Sequence, residues 1–350
     1  MSLGIDIGKF SIKAVQISKD GNKIKVDNIG IINTFDNINK FNLDNLSKSQ
    51  ISACLQDLLT KMKIKPKKAK NIVSSLSGKS TDIRQITTLD MPDNELLVSL
   101  ELEAKKHVPL DGTEAIIDYF HLGNSANELD KINVILATTT KNKIKDHAEI
   151  VKNAGLKPGI FDCDPIGISN LYQFSNDLPE NGADVLLDIG HTSTTLVVWG
   201  KNSNYFSREI EIAGHQINKA LMQEFNLDYE SANNKKNDLG INAFNLEKKE
   251  EAEDEGGIAI EKRTVFNDFI EEIRKTLRFY MKNNNQSFFN SFFLTGGCAN
   301  LPGFNDFIAS NLNVTIADFN AFKNIDADSK IENPNQFALA LGLALRGLEK

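Results

Sequence analysis

The sequence predicts an α/β protein of two related lobes carrying an inserted unit. Three observations predict it. The chain opens on a strand–turn–strand frame built on Asp-x-Gly, "SLGIDIGKFSIKAVQIS". The same frame returns about half a chain length later in "VLLDIGHTSTTLVVWG". Between the two, residues 82–161 carry a strand and helix pattern of their own. Internal self-similarity of this kind marks a repeated structural unit.

In chain order, "SLGIDIG", "SIKAVQIS" and "KIKVDNIGIINTF" are strands, with Gly8-Lys9 and Asp20-Gly21-Asn22 as their hairpin turns. "NLDNLSKSQISACLQDLLTKMK" is a helix, because Ile51, Leu55, Leu58 and Leu59 fall on one face. "NIVSSLSG" is a buried strand. In the inserted unit, Pro92-Asp93 opens a helix with Leu96, Leu100 and Ala104 at helical spacing. Asp93 is its expected cap, Glu95 suits its positive end and Pro109 stops it. "IIDYFHL" and "INVILATTT" are strands, "KIKDHAEIVKNAG" a helix and "KPGIFDCD" a strand.

Beyond the second frame, "SNYFSREIEIAG" completes another three-strand meander. "TVFNDFIEEIRKTLRFYM" is an amphipathic helix through Phe266, Ile270, Ile273, Leu277 and Tyr280. "FFLTGGCANLPGF" is a buried strand meeting a glycine turn. "FALALGLALRGL" is a tightly packed helix in which Ala338, Gly342 and Ala344 permit close approach. The charge-rich run at residues 246–257, "LEKKEEAEDEGG", is expected to be a mobile loop.

Composition narrows the function classes. A chain of 350 residues with 41% hydrophobic and 25% charged residues is an ordinary globular protein. A formal net charge of −7 argues against broad nucleic-acid binding. The basic stretch "KMKIKPKKAK" is either a solvated helix end and loop or a contact for a membrane surface or acidic partner. Cys54, Cys163 and Cys298 are far apart, which disfavours a disulfide framework or zinc site and suits a reducing compartment. No signal-peptide pattern and no apolar run of membrane-spanning length is present, so the expected location is cytoplasmic, without direct membrane insertion.

The turns carry the chemistry. A glycine lets backbone N–H groups approach a ligand, and small hydroxyl residues such as Thr192, Ser193, Thr194 and Thr195 add donors. An aspartate before the glycine repels phosphate but holds hydrated Mg²⁺. Two such turns facing each other would clamp a nucleoside triphosphate and its metal, with Asp6 and Asp188 toward the ion. The backbone at Gly296-Gly297 would cover an adenine or ribose. A single Asp-x-Gly hairpin is ordinary turn punctuation; the matched pair, joined by a late strand–Gly-Gly turn, is what favours the clamp.

These residues resemble the actin-like ATPase superfamily, and within it the PilM family of type IV pilus assembly. FtsA cell-division proteins are more distantly similar. "GIDIGKFSIKAVQI" resembles the first phosphate motif, "LLDIGHTSTTLVV" the second and "FLTGGCANLPGF" the adenosine motif. "ELEAKKHVPLD" with "DYFHLG" resembles the family's inserted subdomain. "AGLKPGIFDCDPIGISNLY" and "FALALGLALRGL" resemble the two connecting segments. The resemblance implies duplicated RNase H-like lobes. Residues 1–81 would begin the first lobe, 82–161 form the inserted subdomain and 162–181 the connecting helix. Residues 182–333 would form the second lobe, and 334–350 a helix returning to the first.

It also implies ATP or ADP with Mg²⁺ as ligands. The implied contacts are Gly8, Lys9, Ser11 and Lys13 from the first turn and Gly190, His191, Thr192, Ser193 and Thr194 from the second. Gly214, Asn233, Lys236, Gly296, Gly297 and Ala299 complete the set, with Asp6 and Asp188 as metal ligands. The chain departs from the pattern in places. Lys9 and Phe10 stand where small serines are usual; Lys9 would either touch phosphate or point to solvent. Ala232 and Lys236 fit the ribose helix, but Asn233 replaces its glutamate, giving up a charge-assisted acceptor. Asp164-Pro165 stands where relatives place Glu-Pro. Asp164 would either orient the attacking water or be an N-cap with Pro165 at the first helical position.

The resulting expectation is a nucleotide-binding scaffold with at most slow hydrolysis, at the cytoplasmic face of the inner membrane. The implied partner is a PilN-like membrane protein, bound through its cytoplasmic N-terminal peptide in a groove between the first lobe and the insertion. Pilus motor or alignment-complex proteins are further implied partners. The competing readings are an FtsA-like filament protein and a small-molecule kinase of the same superfold.

Overall fold

The computed structural model describes residues 1–106, 113–125, 128–245, 263–327 and 330–349. The charge-rich run at 246–257 and the expected helix stop at Pro109 lie outside them. The elements are β1 (Ser2–Ile7), β2 (Ser11–Asp20), β3 (Lys23–Asn33), α1 (Lys48–Lys61), β4 (Ile72–Leu76), β5 (Asp82–Leu89), α2 (Asp93–Ala104), β6 (Ala115–Asn124), β7 (Lys131–Thr140), α3 (Lys141–Asn153), β8 (Ile160–Cys163) and α4 (Asp164–Ser175). Then follow β9 (Asp184–Ile189), β10 (Thr194–Gly200), β11 (Ser203–Ile210), α5 (Gly214–Phe225), α6 (Tyr229–Leu239), α7 (Val265–Asn284), β12 (Phe292–Thr295), α8 (Phe304–Leu312), β13 (Ile316–Ala317), β14 (Ile325–Asp326) and α9 (Ala338–Arg346).

The duplication is visible in strand order. One sheet runs β14-β3-β2-β1-β4-β8, and the other contains β13-β12-β9-β10-β11. Each has an antiparallel meander whose first strand pairs in parallel with a later one: β1 with β4, and β9 with β12. The period-2 pleat then sends alternate residues to opposite faces. On β2, Ile12 and Ala14 join the layer under α1, while Val15 and Ile17 face the molecular centre. On β9 and β10, Leu187 and Leu196 face the second lobe's own core, while Leu186 and Val197 face the centre.

The centre is filled by α4 and α9. Every residue of α9 from Ala338 to Leu345 is buried, so it is apolar all round, as a fully enclosed helix must be. Its approach is set by glycines. A Cβ on Gly342 would lie 1.9 Å from the carbonyl oxygen of Gly167 on α4, and one on Gly4 of β1 would lie 2.0 Å from that of Ala340.

The described residues between 82 and 140 contribute a small core of Leu96, Leu100, Ala104, Ile132, Val134 and Leu136. Their strands extend the second sheet in the order β11-β5-β7-β6. The remainder of the expected insertion behaves differently. Val151, Ala154 and Leu156 share a core with Leu55 and Leu58 of α1, and β8 pairs with β4. We therefore propose to end the inserted unit at Thr140 rather than at residue 161. Asp93 is the first residue of α2 and Pro92 its N-cap, so the expected Asp93 cap is corrected by one position.

Gly342→Ala is expected to cost about 1–3 kcal/mol, the usual range for forcing extra volume into a packed interior. A lowered urea midpoint with an unchanged far-UV spectrum checks it; an unchanged midpoint contradicts the close-approach assignment.

Candidate functional site

The register of β1 against β2 places Asp6 opposite Lys13. The two form an ion pair of 2.9 Å, with side chains only 15% and 14% exposed. Gly8 is needed between them, because a Cβ there would lie 2.6 Å from the Ser11 carbonyl oxygen. In the second frame, Asp188 stands at the same place on β9, opposite Thr195. The N–H of Gly190 donates to the Ser193 carbonyl at 3.1 Å and closes the turn. The buried Thr194 hydroxyl donates to the Ile212 carbonyl at 3.0 Å, so it is spent on the scaffold. Gly296, at φ +90, lets the late turn press on this strand end: a Cβ would meet the Ile189 carbonyl at 2.5 Å and Asp188 Oδ1 at 2.7 Å.

Charges from both lobes share one field. Burial pulls the Lys13 ammonium down, but Asp6, with Asp188 behind it, reverses this and leaves its pKa raised. Burial, then repulsion from Asp6, pushes the Asp188 carboxyl up to about 7 against the pull of Lys13. Asp164 is raised well above the carboxylate range by burial, despite a hydrogen bond with Ser75, with Asp6, Asp188 and Glu209 adding to the effect. Asp164 is the first residue of α4, and Cys163 is the N-cap, which corrects the capping alternative by one residue.

Between the two turns lie rings. Phe10 from the first turn stacks on His191 from the second, with centroids 3.5 Å apart and planes at 21°. Phe41, itself buried, packs against Phe10, Phe35, His191, His215 and Tyr229. The Tyr229 hydroxyl lies 2.8 Å from both His191 Nε2 and His215 Nδ1. One hydroxyl proton serves one imidazole, so the other ring donates to the hydroxyl oxygen. Burial lowers the His191 pKa well below its ordinary value and that of His215 to about 4, so both rings are neutral. Further out, the Glu230 backbone N–H donates to Asn39 Oδ1 at 2.8 Å, tying the loop after β3 to the start of α6.

The expected ribose contacts bond to each other. Lys236 Nζ donates to Asn233 Oδ1 at 2.9 Å, and Asn218 Nδ2 donates to the same oxygen at 3.1 Å. Lys236 is 2% exposed, and burial lowers its pKa. A Cβ on Gly214 would lie 2.7 Å from Cys298 Sγ, 3.2 Å from His191 Nδ1 and 3.4 Å from Lys236 Nζ, so this corner is packed by the chain's own side chains. A Cβ on Gly297 would meet nothing, so that end has room. Ala299 is buried beside a cavity of about 410 Å³ lined by Asn300, Asn305, Asp306, Asp318 and Asn335. Lys9 is exposed, and its carbonyl accepts from the Thr34 hydroxyl at 2.6 Å.

The residues present therefore do not fit a magnesium triphosphate between the turns as they stand. Its phosphates would have to displace the Phe10–His191 stack and compete for ammonium groups already bonded to Asp6 and Asn233. Sequence reasoning noted Phe10 only as a departure and passed over Phe41, His215, Tyr229 and Asn39. The available signal was Phe35 and Phe41 in a loop next to a turn that had itself gained a phenylalanine.

Comparison with known proteins places this geometry. The family described as type IV pilus assembly protein PilM matches residues 4–348. Among solved structures, a PilM–PilN type IV pilus biogenesis complex superposes with a TM-score of 0.81 at 23% identity, covering 100% of this chain and 99% of that one. The ethanolamine utilization protein EutJ from Carboxydothermus hydrogenoformans gives a TM-score of 0.53 at 14% identity, covering 98% and 89%. The fold is the actin-like two-lobed α/β fold.

The raised Asp188 pKa has a sign that titration exposes. Its folded value of about 7 exceeds the ordinary 3.8, so the folded state holds that proton more tightly than the unfolded chain. The contribution is present below the unfolded value and is lost as pH rises toward the folded one. Asp188→Asn should match wild type in urea unfolding near pH 4 and exceed it by a few kcal/mol at pH 8. Parallel stability–pH curves for the two proteins would contradict the assignment.

Proposed function

The chain belongs to the PilM family of type IV pilus assembly proteins, and from that premise we propose that it is a scaffold that docks a short membrane-partner peptide rather than turning over ATP. The partner in this reading is a PilN-like inner-membrane protein presenting its cytoplasmic N-terminal segment. The solved complex of PilM with PilN supports a partner of this kind. No described helix is long and apolar enough to cross a membrane, so attachment at the cytoplasmic face of the inner membrane would run through that partner. Pilus motor or alignment-complex proteins would assemble on the same scaffold.

The observation that carries the docking reading is a seam between the insertion and the second lobe, bordered by Gly78 and Thr81 of the first lobe, and it takes the place of the groove expected between the first lobe and the insertion. Strands β5 and β11 are neighbours, yet their ladder is reduced to the single pair Phe206↔Arg84. Beside it opens a cavity of about 420 Å³ lined by Gly78, Thr81, Ile83, Ser207, Glu209 and Phe279, among others. Beside that pair the Tyr205 N–H already donates to Gln85 Oε1 at 2.6 Å, so an extended peptide would dock there through alternate side chains in apolar contact with Phe206 and Phe279. Asp164 offers little to hydrolysis here: its carboxyl is short, hydrogen-bonded with Ser75 and biased toward the protonated form.

Fluorescence anisotropy with a labelled partner N-terminal peptide tests the reading. Saturable binding to wild type, and binding weakened roughly tenfold or more in a folded Ser207→Trp variant that fills the cavity, are expected. Equal binding by both proteins would remove the seam from consideration.

A further inference from the structure

We propose that the cleft between the lobes is latched shut by the chain's own rings, at the place where the two turns would otherwise hold phosphate, so that the closed state needs no nucleotide. The inference goes beyond the docking reading and does not depend on it.

Three independent features carry it. The first is steric. Phe10 and His191 come from the two opposing Asp-x-Gly turns and meet at 3.5 Å, which is van der Waals contact. A phosphate bridging both turns would need their N–H groups within roughly 3 Å of its oxygens, and the stacked pair bridges the same two turns. The second is charge. The buried cations nearest the turns have partners inside the protein, Lys13 in Asp6 and Lys236 in Asn233, so a polyanion would have to break both. The third is the strap. The loop between β3 and α1 crosses to the second lobe, with Phe41 seated among His191, His215 and Tyr229. On the same loop, Asn39 accepts the Glu230 N–H, one of the donors left without a helical partner at the start of α6. Rings and strap join the two sides without a ligand, and the ion pair neutralises the first turn from within its own lobe. The open ground near Gly297 would admit a base, but not the phosphates attached to it.

The test uses the full-length chain with Mg-ATP as the probe, read by calorimetry and by thermal shift. Wild type is expected to give no binding heat and no shift up to millimolar Mg-ATP. The double variant Phe10→Ser with His191→Ala is expected to bind at least roughly tenfold more tightly than wild type and to melt higher with ligand than without. If the double variant does not fold by circular dichroism, Phe10→Ser alone is read by the same criteria. Phe41→Ser leaves both turns intact and loosens only the strap; it is expected to speed limited proteolysis within residues 34–46. Micromolar Mg-ATP binding by wild type would overturn the proposal. So would a folded variant lacking the rings that gains no affinity, or a strap equally resistant with Ser at position 41. Peptide docking at the β5–β11 seam is measured separately, and its failure would leave these outcomes unchanged.

Discussion

The structure depends on one close approach: the crossing of α4 and α9 through Gly167 and Gly342, with Gly4 of β1 admitting α9 from the other side. At Gly342 and Gly4 the nearest atoms are backbone, the Gly167 and Ala340 carbonyl oxygens, while Gly167 makes room for the side chains of Leu339 and Leu343 on α9. Interiors are packed to crystalline density, so such a contact admits few alternatives. Both sheets send alternate residues to this helix pair, Val15 and Ile17 from one and Leu186 and Val197 from the other. The two lobes are thereby locked to a common centre, and the ends of β1 and β9 are brought to face each other.

That placement has an electrostatic cost. Asp164 and Asp188 lie in one weakly solvated field with Asp6; burial first, and then the charge of Asp6, raises the pKa of both. Lys13 offsets the repulsion from within, and the proton affinity of Asp188 absorbs more of it. In a nucleotide-dependent protein a ligand and its metal would do this work. Here the rings add a second contribution: an edge-to-face aromatic pair, such as Phe10 with Phe41 or Phe41 with Tyr229, is worth about 0.5–1.5 kcal/mol beyond the area it buries. A ligand shifts a conformational balance only through its differential affinity for the two states. A cleft already held by its own contacts leaves nucleotide little to add.

The fold was legible because its signals are local and repeated. The alternation in "GIDIGKFSIKAVQI" and "LLDIGHTSTTLVVW" fixes strand faces, and the two frames predict two lobes. The Ala and Gly pattern of α9 announces a buried, closely approached helix. The two caps at Asp93 and Asp164 each shift by one residue, and the proposed earlier end of the inserted unit was not legible, because α3 reads as an amphipathic helix whichever core receives it; the partnership of Val151 with Leu55 is a tertiary fact. The candidate site was legible as a pair of turns, down to Asp6, Lys13 and Asp188. What fills the space between them was not. Phe10 and His191 are 181 residues apart in sequence by their numbering, and nothing in either turn alone says that the two rings stack. Asn233 and Lys236 were read as reaching for a ribose, when their nearest partners are each other.

The most direct test of a cleft closed without nucleotide is the distance between the lobes in solution. Spin labels at Gln56→Cys on α1 and Lys219→Cys on α5, both exposed positions, would report it in a chain with Cys54 replaced by Ser. The account predicts one narrow distance distribution in the nucleotide-free protein, unchanged by Mg-ATP. A broad or two-peaked distribution that collapses to a single distance when Mg-ATP is added would contradict it.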